Sequence, residues 1–254
     1  LVITRGCQIF AEGTPERPIV FTSGRPKGER EPGDFGGLIL LGNAPINIPA
    51  GATNIEGIVI AGNAERTRYG GTNPADNSGV LKYVRVEFGG KLLEGTQANE
   101  LNSFTFGGVG SGTQLSHLQA SFCNDDAFEF FGGTVDAKYL FTYSANDDDF
   151  DTDFGYVGKI QYGLAIRELT NFSDGSNGIE SDNDGASSPN RPFTEGTFSN
   201  LTVVGPRLFG TLPSDHRFRA GALLRRNTAQ SVANSVFVGF PTGLELADSL
   251  TNLQ

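Results

Sequence analysis

The sequence contains no methionine at any of its 254 positions, the first included. A primary translation product begins with methionine, so the chain reads as a processed or excised piece whose targeting signal has gone. Cysteine is nearly absent too, with only Cys7 and Cys123. Their separation matches no metal-ligand spacing, and a pair of buried free thiols is favoured over a single disulfide between them. No apolar run approaches the ~18 residues of a membrane-spanning helix, which excludes an integral helical membrane protein. Basic residues are scarce, 19 Lys and Arg against 29 Asp and Glu, for a net charge of −10. Phosphate backbones and anionic lipid need a basic surface, so nucleic acid and membranes are excluded as main partners. The balance suits a soluble, extracellular or cation-binding role. Helical periodicity is missing almost throughout.

Glycine, by contrast, is abundant, with 35 residues, about twice ordinary usage. No G-X-Y period accompanies it, which excludes a collagen. A hydrophobic content of 37 % with 20 phenylalanines excludes disorder. Short alternating strands of Val, Ile, Leu, Phe and Tyr recur between Gly, Asn and Asp. Asn124-Asp125-Asp126-Ala127-Phe128-Glu129 returns as Asn146-Asp147-Asp148-Asp149-Phe150-Asp151. Further copies follow at Gly178-Ile179-Glu180-Ser181-Asp182, at Gly221-Ala222-Leu223-Leu224-Arg225 and at Gly243-Leu244-Glu245-Leu246, and Ser103-Phe104-Thr105-Phe106-Gly107 fits the same frame upstream. A second strand family follows the first, starting at Leu81, Leu115, Ala137, Ile160, Phe198 and Val232.

A period of about 20–30 residues carrying two or three short strands is a β-solenoid signature. Such spacing does not suit local hairpins, so each strand pairs in parallel with its copy one turn on. The period fits a leucine-rich repeat, but that repeat's Leu/Asn signature and helix are missing. The expectation is an all-β, right-handed parallel β-helix of about eight to nine coils, in one domain covering residues 1–254 of a longer or processed chain. Gly and Asn supply the left-handed corners. Phe104, Phe128, Phe150 and Ile179 stack inside, as do Phe106, Phe130, Thr152 and Ser181. Residues 24–34, 62–78, 184–197 and 205–219 leave the coil as loops.

Alternation turns Thr105, Glu129, Asp151, Glu180 and Leu223 to the outer face, with Gly107, Phe131, Asp153, Asp182 and Arg225 two residues further on. Asp151, Asp153, Glu180 and Asp182 then form a two-by-two carboxylate block on coils about 4.8 Å apart. At an effective dielectric near 20, two such charges repel by roughly 3–4 kcal/mol. A bound cation, a nearby arginine or a retained proton would relieve them. Oxygen ligands without His or Cys suit calcium, and Asp125 and Asp126 beneath Asp147 and Asp148 form a second candidate locus. Asx turn chemistry explains the Asn124–Asp126 corner without an ion, and Arg225, with Arg226 beside it, is placed to neutralise Asp182.

Paired acids on a β-helix face are similar in kind to those of polygalacturonases, but the Gly-His-Gly and Arg-Ile-Lys elements of those enzymes are missing. A pectate-lyase-like reading combines calcium with Arg225 or Arg226 as proton acceptor. Its catalytic set would be Asp151, Asp153, Glu180, Asp182 and Arg225, weighed against a plain electrostatic clamp between coils. His117 falls in a strand and His216 in a long loop. The glycine runs at 107–112 and 132–133 lack the following helix of a phosphate loop and read as corners.

Several stretches resemble a family of secreted bacterial surface proteins, common in Bacteroidetes and relatives, built as parallel β-helices. They are Gly13–Ser23, Gly33–Gly42, Ser78–Glu87, Asp125–Val135, Asp148–Tyr156 and Leu224–Thr228. The resemblance implies an exported or lipid-anchored protein on the outer cell surface and transfers no catalytic residue. Three functions follow for testing: a structural or adhesive module, calcium-stabilised and self-associating; a polysaccharide lyase or hydrolase at the acidic face; and a carbohydrate-binding module using exposed Tyr69, Tyr156 and Phe131. The first asks for the least unshown chemistry, with a glycan or surface protein as partner. Because the chain opens on Leu1-Val2-Ile3 inside a coil, a preceding coil, a cap or a stacked neighbour is expected there.

Overall fold

The computed structural model describes residues 1–58, 60–91, 101–173 and 175–251. Two parallel sheets wind around one hydrophobic bore, forming a right-handed parallel β-helix. The first sheet has eight rungs: Val2–Ile3, Leu38–Leu41, Phe104–Gly107, Phe128–Phe131, Phe150–Asp153, Ile179–Ser181, Ala220–Leu224 and Thr242–Leu246. The second sheet runs through Ile9–Glu12 and Ile19–Phe21, then Gly79–Glu87, Gln114–Ser121, Ala137–Tyr143, Lys159–Ile166 and Thr197–Val204, and ends on Ser231–Ala233 and Val236–Val238. No helix among the described residues is long and apolar enough to cross a membrane.

The sequence repeats set the register. Phe128 pairs with Phe104 on one side and Phe150 on the other, and Phe150 pairs with Ile179. Ring centroids along this column lie 4.9 and 5.8 Å apart, with the ring planes nearly parallel. All four side chains are fully buried, each contributing about 1.5–3 kcal/mol through burial. Thr152 and Ser181 continue the neighbouring column as polar rungs, Thr152 donating to Ser181 at 2.9 Å.

Glycines such as Gly108, Gly132, Gly133 and Gly155, with Asn227, supply left-handed corners as expected, but the bend within the second sheet uses Tyr83, His117, Tyr139 and Tyr162 before Asn200 and Asn234, all with φ between 47° and 63°. A left-handed L-residue costs about 1–2 kcal/mol. Here the strain is offset by ring stacking, with centroids at 4.3, 4.5 and 5.2 Å along the four aromatic rings. Asn234 then hydrogen-bonds Asn200 and extends the ladder.

The outer face of the first sheet is also not open. Between the second rung and Gly79 the chain leaves the coil and crosses the later rungs. Ala44 N–H donates to Gly108 C=O, Gly133 N–H to Pro45 C=O, and Asn47 N–H to Phe154 C=O. Asn47 Nδ2 reaches Asn183 C=O at 2.7 Å. Gly132 and Gly155, both at positive φ, clear the track, because a Cβ on Gly132 would lie 2.6 Å from Ile46 and one on Gly155 3.2 Å from Asn47. The excursion includes an antiparallel pair, Thr53–Asn54 with Arg68–Tyr69, and a short 3-10 turn, Ala64–Thr67. Ile46, Ile55 and Tyr69 pack on Ile39, Leu41 and Phe131 as a second core outside the bore.

Candidate functional site

The acids lie on the covered outer face of the first sheet, and register brings them together. Glu129 pairs with Asp151, and Asp151 with Glu180. Three carboxylate triads, each with one oxygen per residue within 4.8 Å of the others, link end to end: Asp125, Asp126 and Asp147; Asp126, Glu129 and Asp151; Asp148, Asp151 and Glu180. Asp126 and Asp151 each belong to two triads. The two loci expected from sequence are therefore one continuous seam. Glu129, placed by alternation on the outer face but left out of both loci, joins it as the link between Asp126 and Asp151.

Asp153 and Asp182 stand outside these triads. Asp153 Oδ1 accepts the Phe154 N–H at 2.6 Å. Arg225 Nε donates to Asp182 Oδ1 at 2.9 Å, its other arm bonds Glu180, and Arg226 reaches Asp182 at 2.6 Å. The clamp between coils is therefore present for Asp182 and, in part, for Glu180.

Inside the seam, backbone and amide donors hold the carboxylates in place. Asp148 N–H donates to Asp126 at 2.7 Å, Asn177 N–H to Asp148 at 2.6 Å, Ser173 Oγ to Asp147 at 2.6 Å, and Asn102 Nδ2 to Glu129. Asp151 Oδ1 is buried and accepts no hydrogen bond. Burial first, then neighbouring carboxylates, push Asp126, Glu129, Asp148 and Asp151 well above the usual carboxylate range. Burial, opposed by Arg225, brings Glu180 up to about 7. Burial also raises Asp153.

Several expectations need correction. Tyr69, Tyr156 and Phe131 are buried, not exposed. Phe131 sits beneath the excursion, Tyr69 packs down on it from the excursion itself, and Tyr156 fills the bore with its hydroxyl on Val135 C=O at 2.8 Å. Both cysteines are free, but only Cys123 is buried; Cys7 is exposed. His117 is a rung of the aromatic ladder, and His216 stacks at 6.2 Å on Phe218.

Two parallel sheets wound around one bore define a parallel β-helix protein, and the sequence comparison agrees with that fold. The chain matches the pectate-lyase-like beta-helix domain family over residues 1–254 and belongs to that family. No curated protein and no solved structure matches it.

Proposed function

We propose that the chain is a non-catalytic β-helical module of the outer cell surface, whose acidic seam takes up calcium and which presents its remaining faces to a glycan or protein partner. The observation that carries this reading is the linked set of three carboxylate triads, shared at Asp126 and Asp151. Calcium takes six to eight oxygen ligands in flexible geometry, and a chain of carboxylates without His or Cys is suited to it. Outside cells, sites with dissociation constants of about 10⁻⁴–10⁻³ M are filled, so an exported chain would carry a loaded seam.

Membership of a pectate-lyase-like family supports a second reading, polysaccharide cleavage at the same face. The residues fit it less well. The arginine that would accept a substrate proton, Arg225, bonds both Asp182 and Glu180, and those carboxylates hold its positive charge in place. Asp182 is only 4 % exposed, and the excursion carrying Asn47 lies across the rungs. An incoming polymer would have to displace both.

Thermal unfolding in calcium and in chelator tests the first reading. Calcium at a hundred times its dissociation constant should raise the melting temperature by about 5–10 °C. Asp151→Asn should remove most of that rise. Equal melting temperatures in calcium and chelator overturn it. Appearance of unsaturated products from carboxylated polysaccharides, lost in Arg225→Gln, establishes the second reading instead.

A further inference from the structure

The acidic seam accounts for one face of the solenoid. The opposite sheet carries a feature the seam does not explain. Tyr83, His117, Tyr139 and Tyr162 form a continuous stack on its outer surface, each ring one rung from the next. Tyr139 and Tyr162 are 47 % and 44 % exposed. Two depressions of about 290 and 400 Å³ run along the stack and share Tyr139 and Phe141. The ring stack ends at Tyr162, and Asn200 and then Asn234 take the next positions of the column.

Charge on this face runs against that of the chain. Glu12, Lys82, Ser116, Lys138 and Gln161 form the row on one side of the rings, two cations against one acid, and Arg85, Gln119, Phe141 and Leu164 the row on the other. Lys82 Nζ lies 5.9 Å from the Tyr83 ring. Among the described residues the side chains of Arg85 and Lys138 have no ion-pair or hydrogen-bond partner. In a chain of net charge −10, two unpaired cations beside a third and an aromatic ladder make a local basic strip. Opposite charge at such a strip fixes register and speeds encounter.

We propose that this strip binds an anionic polysaccharide lying along the solenoid axis. The exposed ring edges and the tyrosine hydroxyls meet the pyranose rings; Arg85, Lys82 and Lys138 meet the acidic substituents; and Gln119, Gln161 and Asn200 bond hydroxyls. The repeat suits a polymer, because each rung offers the same row again about 4.8 Å further on. The site lies on the other sheet from the carboxylate seam and does not depend on whether the seam binds calcium or cleaves a substrate.

The test is isothermal binding of hyaluronan oligosaccharides, with dextran and poly-L-glutamate as comparison polymers, all in one calcium-containing buffer. Hyaluronan should bind, weaken as ionic strength rises, and lose about tenfold or more in affinity in Tyr162→Ala and in the pair Arg85→Gln with Lys138→Gln. Tyr162→Phe should retain most of the binding, and far-ultraviolet circular dichroism confirms that each variant is folded. Leu244→Ala, at an exposed position on the first sheet, should leave the affinity unchanged. Dextran binding as tightly as hyaluronan, poly-L-glutamate binding equally well with no effect of Tyr162→Ala, or no binding of hyaluronan at all each overturns the proposal.

Discussion

Arg167 Nε lies 2.8 Å from Asp149 Oδ2 inside the bore, and both side chains are completely buried. The guanidinium also donates to the carbonyls of Ala145, Asp147 and Asn177, and Thr142 Oγ1 donates to the same carboxylate. One guanidinium thus ties together the corner residues Ala145, Asp147 and Asn177 and the Asp149 carboxylate. Burial pushes the Asp149 carboxyl up and the arginine charge pulls it back down. Removing the cation leaves a charge with no solvent, so Arg167→Met should cost about 3–5 kcal/mol in urea unfolding. The double variant Arg167→Met with Asp149→Leu should lose less than the single one.

The carboxylate seam predicts an unusual response to pH. Asp126, Glu129, Asp148 and Asp151 have folded-state pKa values raised above those of the unfolded chain. The folded state therefore holds more protons in the interval between the two values, and stability falls as pH rises through it. Glu180 places one such window between about 4.5 and about 7. In chelator the protein should melt at a higher temperature at pH 5.5 than at pH 8, and calcium should flatten that slope. A chelated protein more stable at pH 8 would contradict the assignment of repulsion to the seam.

The stacked core predicts a large local cost. Phe128 touches rings on the rungs before and after it and is fully buried. Phe128→Ala should lose about 3–5 kcal/mol, measured by urea denaturation, whereas Phe10→Ala, at a 68 % exposed position, should change stability by less than about 0.5 kcal/mol.

The two thiols should behave differently. Cys7 is exposed. Burial pushes the Cys123 thiol up to about 12, and Ser103 Oγ sits 2.8 Å from its sulfur. A disulfide-exchange reagent at pH 8 should titrate one thiol per native chain and two after unfolding. Cys7→Ser should abolish the native reaction.

The repeating strands were legible because a one-residue slip would turn every phenylalanine out of the bore. The pairing of Phe104, Phe128, Phe150 and Ile179, and of Leu81, Leu115 and Ala137, can be read directly from self-similarity. The crossing segment has no repeat to betray it. Its apolar residues, Ile46, Ile48, Ile55 and Ile58, alternate with polar and turn residues on a single pass, so nothing local says that they cover the sheet. Tyr69 and Phe131 consequently look like exposed aromatics. The left-handed tyrosines are hidden for a related reason, since their conformation is set by the ring one coil away and not by their own neighbours. Glu129, Asp151 and Glu180 could be placed on one face by alternation, but the Asp125–Asp126 corner reads as a separate locus until the side chains are placed.

The crossing segment changes how the whole stack should come apart. A solenoid whose coils touch only their neighbours unzips from its ends, its energy a sum of adjacent terms. Here residues 44–47 leave the second rung and bond in turn to the third, fourth, fifth and, through the Asn47 amide, the corner after the sixth. Those coils cannot separate one at a time without first detaching this strap. Rungs two to six should thus melt as one block, with amide exchange uniformly slow across Phe104–Gly107, Phe128–Phe131 and Phe150–Asp153. The two rungs beyond, Ala220–Leu224 and Thr242–Leu246, are left to fray by themselves.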